Sequence, residues 1–164
     1  YQGILLLGDN MYMTGVTSTE DAQWDSKVFS MYGGPCLKKL KIYAVLGNHD
    51  YRDNPEAQIA MTAVEPRWHM PNRFYSVSFG TILKLVAFDS QISEFCFKPE
   101  FCAVDFLLEQ LDDTEHTWNI VTAHHPVHSE SAKGYGHRGG FRGLFLEPLI
   151  CDKTEIWLNG HAHH

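Results

Sequence analysis

Ten side chains with electron pairs to donate stand out along the 164 residues: Asp9, Tyr12, Asn48, His49, Asp50, His124, His125, His161, His163 and His164. Carboxylate, phenol, amide oxygen and imidazole are all metal ligands, and the mixture suits hard or borderline cations better than a thiolate-loving ion. A structural zinc site is a closed tetrahedron; the groups here are too many for one ion and point to a pair. Histidines two positions apart on an extended segment share a side, so His161 and His163 of GHAHH could reach neighbouring ions. Each residue alone has a plainer explanation. Asp9 could cap its strand, Asn48 and Asp50 could hold a turn, His125 or His164 could face solvent, and the last histidines could be a tag. Their joint placement is what argues for chemistry.

Every one of these groups lies at or just beyond the point where an apolar run gives way to Gly, Asn, Asp or His: ILLLGDN at 4 to 10, IYAVLGNHD at 42 to 50, NIVTAHHP at 119 to 126 and EIWLNGHAHH at 155 to 164. Such runs predict buried strands followed by polar loops. In open parallel or mixed sheets ligands bind beyond the carboxyl ends of the strands, where these clusters fall. Helices are predicted over residues 19–32, 55–64, 103–111 and 141–151. The stretch FYSVSFGTILKLVAFDS at 74 to 90 predicts two strands about Gly80 and a second sheet. The alternation of strands and helices gives an α/β class, and without repeats, low-complexity tracts or linkers residues 1–164 read as a single domain.

Composition narrows the function by exclusion. A hydrophobic fraction of 44% is that of a globular protein, and no apolar run approaches the ~20 residues of a membrane span. A formal net charge of -7 offers no basic surface for a phosphate backbone, so nucleic acid is not expected as the main partner. The four cysteines form no CxxC pair; Cys96 and Cys102 could close a small disulfide loop or be two buried thiols. Gly134, Gly136 and Gly139 fit the spacing GxGxxG, but HPVHSESAK separates them from the nearest strand, so a dinucleotide fingerprint is rejected.

Taken in order, GDNMY, GNHD, AHHP and GHAHH resemble the motifs of the calcineurin-like metallophosphoesterases. The tyrosine of GDNMY, with AVLGNHDY, RWHMPNRFY and HHPV, makes the chain most similar to the purple acid phosphatases of the small, tartrate-resistant type. The resemblance implies a four-layer αββα sandwich of two mixed sheets flanked by helices. It implies an acid phosphatase that hydrolyses phosphate monoesters, on small molecules or phosphoproteins, at a binuclear centre of Fe(III) and a divalent iron, zinc or manganese ion. Asp9 would bridge the two metals, Tyr12 and His163 would bind ferric iron, and Asn48, His124 and His161 would hold the divalent ion. His124 is preferred to His125 because the family's ligand directly precedes the residue before proline.

His49 would be no ligand but a group that meets substrate, with Asp50 fixing its tautomer. A second catalytic histidine would come from the loop after AHHP; His137 fits best, with His128 behind it, and Arg138 and Arg142 could touch phosphate. The family's DxG motif upstream and its strands beyond GHxH have no counterpart in the sequence, which is therefore expected to be a fragment of the catalytic domain. A secreted, lysosomal or periplasmic location is implied. Two further readings follow from the same residues: a phosphodiesterase using manganese or zinc, disfavoured by Tyr12, and a degenerate metal-binding module lacking the first aspartate.

Overall fold

A computed structural model describes residues 3–91, 103–112, 114–129 and 141–163, with the backbone alone for 141–145. His137, Arg138, His164, Cys96, Cys102, the glycine-rich GYGHRGG segment and the Arg142 side chain therefore lie outside what is described.

Three apolar runs build the first sheet. β1 (Gly3–Leu7) lies parallel to β2 (Lys41–Val45), with Leu5 opposite Tyr43, and β2 lies parallel to the short β3 (Trp68–His69), with Ile42 opposite Trp68. The second sheet has four strands. β4 (Tyr75–Phe79) and β5 (Leu83–Ala87) form an antiparallel hairpin whose turn contains Gly80 at φ 62°. β6 (Trp118–Thr122) and β7 (Ile156–Leu158) then add in parallel to β5. This is the expected α/β architecture of two sheets with helices.

Side-chain alternation along β5 explains the layering. Leu85 and Ala87 face a core shared with Ile42, Ala44, Trp68 and Tyr75, which joins the two sheets. Val86 faces the opposite way, into a second core with Val121, Leu107 and Leu111 of α2 (Ala103–Leu111) and Leu146 and Ile150 of α3 (Phe141–Ile150). Met61 of α1 (Pro55–Val64) packs into the first core together with Trp24 and Val28. Trp68 is fully buried there, edge-on to Trp24 at 4.9 Å, with its indole N–H donating to the Gln58 carbonyl at 2.7 Å.

The helices expected at 55–64, 103–111 and 141–151 form, the first with Pro at its opening turn and the last as Phe141–Ile150. The helix expected over 19–32 shortens to residues 23–29, of which Asp25–Phe29 is π-helical. Asp21 accounts for the difference: its carboxylate accepts from the backbone N–H groups of Thr17 and Gln23 and from the Thr17 hydroxyl, which commits this stretch to side-chain-capped turns. The four metal-motif strands also divide between sheets, β1 and β2 in one and β6 and β7 in the other. Both crossover helices, α2 and α3, pack on the outer face of the second sheet and so add β6 and β7 to β5.

Candidate metal centre

The loops after β1, β2, β6 and β7 meet where the carboxyl ends of the two sheets face each other. Close packing there demands glycine. A Cβ on Gly47 would stand 2.2 Å from the Asp9 amide nitrogen and 2.4 Å from Asp9 Oδ1. A Cβ on Gly8 would stand 2.5 Å from His124 Nδ1, and one on Gly160 would stand 2.8 Å from the Leu7 carbonyl oxygen. The motif glycines thus let three backbones close around Asp9 and His124. Two of the converging residues have left-handed backbones, Asp9 at φ 52° and His161 at φ 63°, an uncommon state for residues with a Cβ and one found where a fold fixes functional groups.

Asp9 sits at the centre of this packing. Its Oδ1 accepts from the His49 amide at 2.8 Å; its Oδ2 accepts from the Tyr12 hydroxyl at 3.0 Å and lies 3.3 Å from His124 Nε2. Burial opposes ionisation of Asp9, yet the His124 imidazole beside it and the His49 amide outweigh it and hold the carboxyl well below the usual carboxylate range. Tyr12 feels the converse: burial, then the hydrogen bond to Asp9, push its phenol up to about 12. The Tyr12 oxygen also lies 3.1 Å from His163 Nε2.

His124 is buried, and its Nδ1–H donates to the Leu7 carbonyl at 2.8 Å. The Nε2 electron pair then faces Asn48 Oδ1 at 3.2 Å and His161 Nδ1 at 3.0 Å, besides Asp9. One shared proton satisfies one such contact, whereas a cation satisfies them all at once. Asp9, Tyr12, Asn48, His124, His161 and His163 therefore form one connected set, and the residues present fit a metal centre. His125 packs beside this set, ring centroids 4.5 Å from His161 and 4.9 Å from His124, and the three histidines offer nitrogens within 4.8 Å of one another. Ser90 anchors His125, its Oγ lying 2.8 Å from Nδ1 and 3.0 Å from the His125 amide that donates to it.

His49 lies at the rim, its ring tilted against Tyr12 at 4.6 Å. Its Nδ1–H donates to the Met13 carbonyl at 2.6 Å, so this oxygen, and not Asp50, fixes the tautomer. Asp50 is fully buried and holds the loops instead. Its Oδ2 accepts from the Gly47 and Asn10 amides and its Oδ1 from the Met11 amide and the Gln58 side chain. With four donors around it, the carboxylate has no lone pair to spare for a neighbouring imidazole. His128 is drawn away to Glu147 at 3.0 Å.

Sequence reading passed over Ser90, Gln58 and the Met13 carbonyl. Asp89 and Ser90 follow the buried run LKLVAF and were a fifth instance of the strand-end pattern; Asp89 is bonded to the Tyr51 hydroxyl, which Arg73 also contacts. A separate apolar cleft of about 680 Å³ lies between the sheets, lined by Ile4, Tyr43, Phe79, Leu83 and Ile120, and none of the converging polar groups borders it.

The family model described as calcineurin-like phosphoesterase matches residues 2–164. Tartrate-resistant acid phosphatase type 5 of Homo sapiens is 29% identical over 98% of this chain and 55% of its own length, and that of Sus scrofa is 27% identical over 98% and 52%. Purple acid phosphatase 7 of Arabidopsis thaliana is 29% identical over 98% and 53%. The chain spans about half the length of these relatives. Among solved structures, "GAP50 the anchor in the inner membrane complex of Plasmodium" shares the fold with a TM-score of 0.79 and 21% identity, over 98% of this chain and 56% of that one.

Proposed function

The chain belongs to the calcineurin-like phosphoesterase family, and from that premise we propose that it carries the centre of an acid phosphatase that hydrolyses phosphate monoesters, on small molecules or phosphoproteins, with Fe(III) and a divalent iron, zinc or manganese ion. The observation that carries the reading is the single network in which the Tyr12 oxygen stands between Asp9 and His163 while His124 Nε2 faces Asp9, Asn48 and His161. Two metal ions, when bound, supply Lewis-acid neutralisation of phosphoryl charge and activation of water. Asp9 would be shared by both ions, Tyr12 and His163 would hold the ferric one, and Asn48, His124 and His161 would hold the divalent one. Tyr12 favours iron, since a phenolate is a hard oxygen ligand suited to a ferric ion.

His49 is the proton donor. Its Nδ1–H is committed to Met13, so the proton it moves is at Nε2, passed to the oxygen of the departing alcohol as the P–O bond breaks and water's oxygen bonds to phosphorus. Asp50 fixes the turn that carries Asn48 and His49. His137, which lies outside the described residues, is the sequence-based candidate for a second catalytic histidine. No helix among the described residues is long and apolar enough to cross a membrane, and the expected substrates are soluble phosphate compounds.

The test is a visible spectrum of the full-length protein as purified, with metal analysis by mass spectrometry. A tyrosinate-to-iron band with a pair of metals per chain supports the reading; a colourless protein holding manganese or zinc moves it to a phosphodiesterase, and a metal-free one to a binding module. His161→Ala and Asp9→Asn are expected to lose metal and turnover together. His49→Ala is expected to retain metal while turnover falls, and proportional loss of metal would reassign His49 as a ligand.

A further inference from the structure

Among the described residues two histidines are buried, His124 and His125, and the ligand set uses the first alone. An apolar side chain would fill a core position at less cost, since a buried imidazole needs partners for its ring nitrogens. Strand register accounts for the place of His125. β5 and β6 run parallel with Ala87 opposite Thr122, and the Phe88 amide donates to the Thr122 carbonyl at 2.9 Å. Ser90 and His125 continue these two chains just past the ladder. β7 adds to β6 with Leu158 opposite Thr122, and the Gly160 amide donates to the His124 carbonyl at 3.0 Å, which carries His161 to the same strand end.

Ser90 is fully buried and grips His125 twice, its Oγ accepting from the His125 amide at 3.0 Å and lying 2.8 Å from Nδ1. With Nδ1 engaged there, Nε2 is the nitrogen that His125 can offer an ion. The ring packs against two members of the ligand set, with centroids 4.5 Å from His161 and 4.9 Å from His124. One nitrogen from each of the three histidines lies within 4.8 Å of the others. Bonds from zinc to imidazole are about 2.0–2.1 Å long, so nitrogens this close need only a small ring rotation to share one ion.

We infer that His125 is a further ligand of the divalent ion, beside Asn48, His124 and His161, and that this third imidazole makes the position select zinc over manganese. The inference rests on the proposed metal-centre reading and departs from the family resemblance, which gives the ligand role to His124 and not to His125. Manganese is served best by oxygen donors, whereas imidazole suits zinc. Two imidazoles with the oxygens of Asp9 and Asn48 form a mixed set open to either ion. The third imidazole tips that set towards nitrogen.

The experiment uses the full-length protein loaded with iron and one equivalent of zinc. X-ray absorption at the zinc edge is expected to count three imidazoles in the wild type and two in His125→Phe. Chelator competition then gives the dissociation constants for zinc and for manganese in both proteins and in Ser90→Ala. In His125→Phe the zinc constant should rise on the order of 100-fold and the manganese constant by less than about threefold. Ser90→Ala keeps the imidazole but loosens it, and should weaken zinc about tenfold. A merely structural role for His125 would weaken both ions alike, and that result overturns the inference. Two imidazoles at zinc in the wild type overturn it as well, even if His125→Phe fails to fold, and leave the metal-centre reading standing. A wild-type protein that takes up neither ion removes that reading and the inference together.

Discussion

His124, at the end of β6, donates through Nδ1 to the carbonyl of Leu7, at the end of β1, and thereby ties one sheet to the other across 2.8 Å. The same bond aims Nε2 at Asn48, Asp9 and His161. Orientation of the ligand and attachment of the sheets are one interaction.

His124→Ala is therefore expected to abolish metal binding and also to lower stability in chelator by about 2–4 kcal/mol, the cost of deleting a buried ring with its hydrogen bond. Urea midpoints measured in the presence of chelator check this. A midpoint equal to wild type would mean that the inter-sheet bond contributes nothing.

Gly47→Ala is expected to damage the centre more than Gly80→Ala damages the hairpin. At Gly47 the new methyl would collide with the Asp9 backbone and carboxylate, so Asp9 must move and metal content should drop, with a stability loss of about 1–3 kcal/mol. At Gly80 no atom lies within 4 Å, and the cost is that of holding φ at 62° with a side chain, about 1–2 kcal/mol, with metal content retained. Metal analysis of the two variants side by side separates the effects.

Asp50→Asn exchanges an acceptor for a donor among four N–H groups. Two of them would then face an NH₂ group, for a loss of about 1–3 kcal/mol. Because Asn48 and His49 ride on this turn, metal affinity should weaken as well. Thermal melts of the chelated and loaded forms would detect both; an unperturbed melt in both would show that another group holds the turn.

His69 sets a pH dependence. Burial, then the charge of Lys41, lowers its pKa below the ordinary 6.5, while its ring packs edge-on against Tyr43 and Tyr75. With the folded pKa below the unfolded one, the unfolded chain binds more protons between the two values, and stability falls as pH drops through that window. His69→Phe keeps an aromatic ring and should flatten that part of the profile. Denaturation midpoints for both proteins from pH 7 downward test it, and parallel profiles would assign the acid loss elsewhere.

Strand ends, three of the helices and the converging polar groups were legible because each depends on local pattern: apolar runs closing on GDN, GNHD, AHHP and GHAHH, and Asn54-Pro55 opening α1. What local pattern does not carry is the identity of a strand's neighbour. NIVTA reads the same whether it pairs with β2 or with β5, and only the packing of Leu107 and Leu146 on the second sheet decides. Asp50 illustrates a second limit. A carboxylate after a histidine suggests a pair, yet the amides of Asn10 and Met11 from a distant loop and of Gly47 from its own turn claim it first. The helix expected over 19–32 came out short for a third reason: Asp21, through its bonds to Thr17 and Gln23, holds the chain before residue 23 in turns, while Trp24 and Val28 keep their helical spacing and share the core.

The hydroxyl of Tyr12 meets His163 across 151 positions of sequence. During synthesis the first motif leaves the ribosome long before the last, and through most of that interval Asp9 and Tyr12 lack His124 and His163. A metal ion captured early would be held by an incomplete set of groups with no selectivity. The full set of groups therefore exists only once the loop after β7 has met the loop after β1, and completion of the site follows long-range folding rather than preceding it.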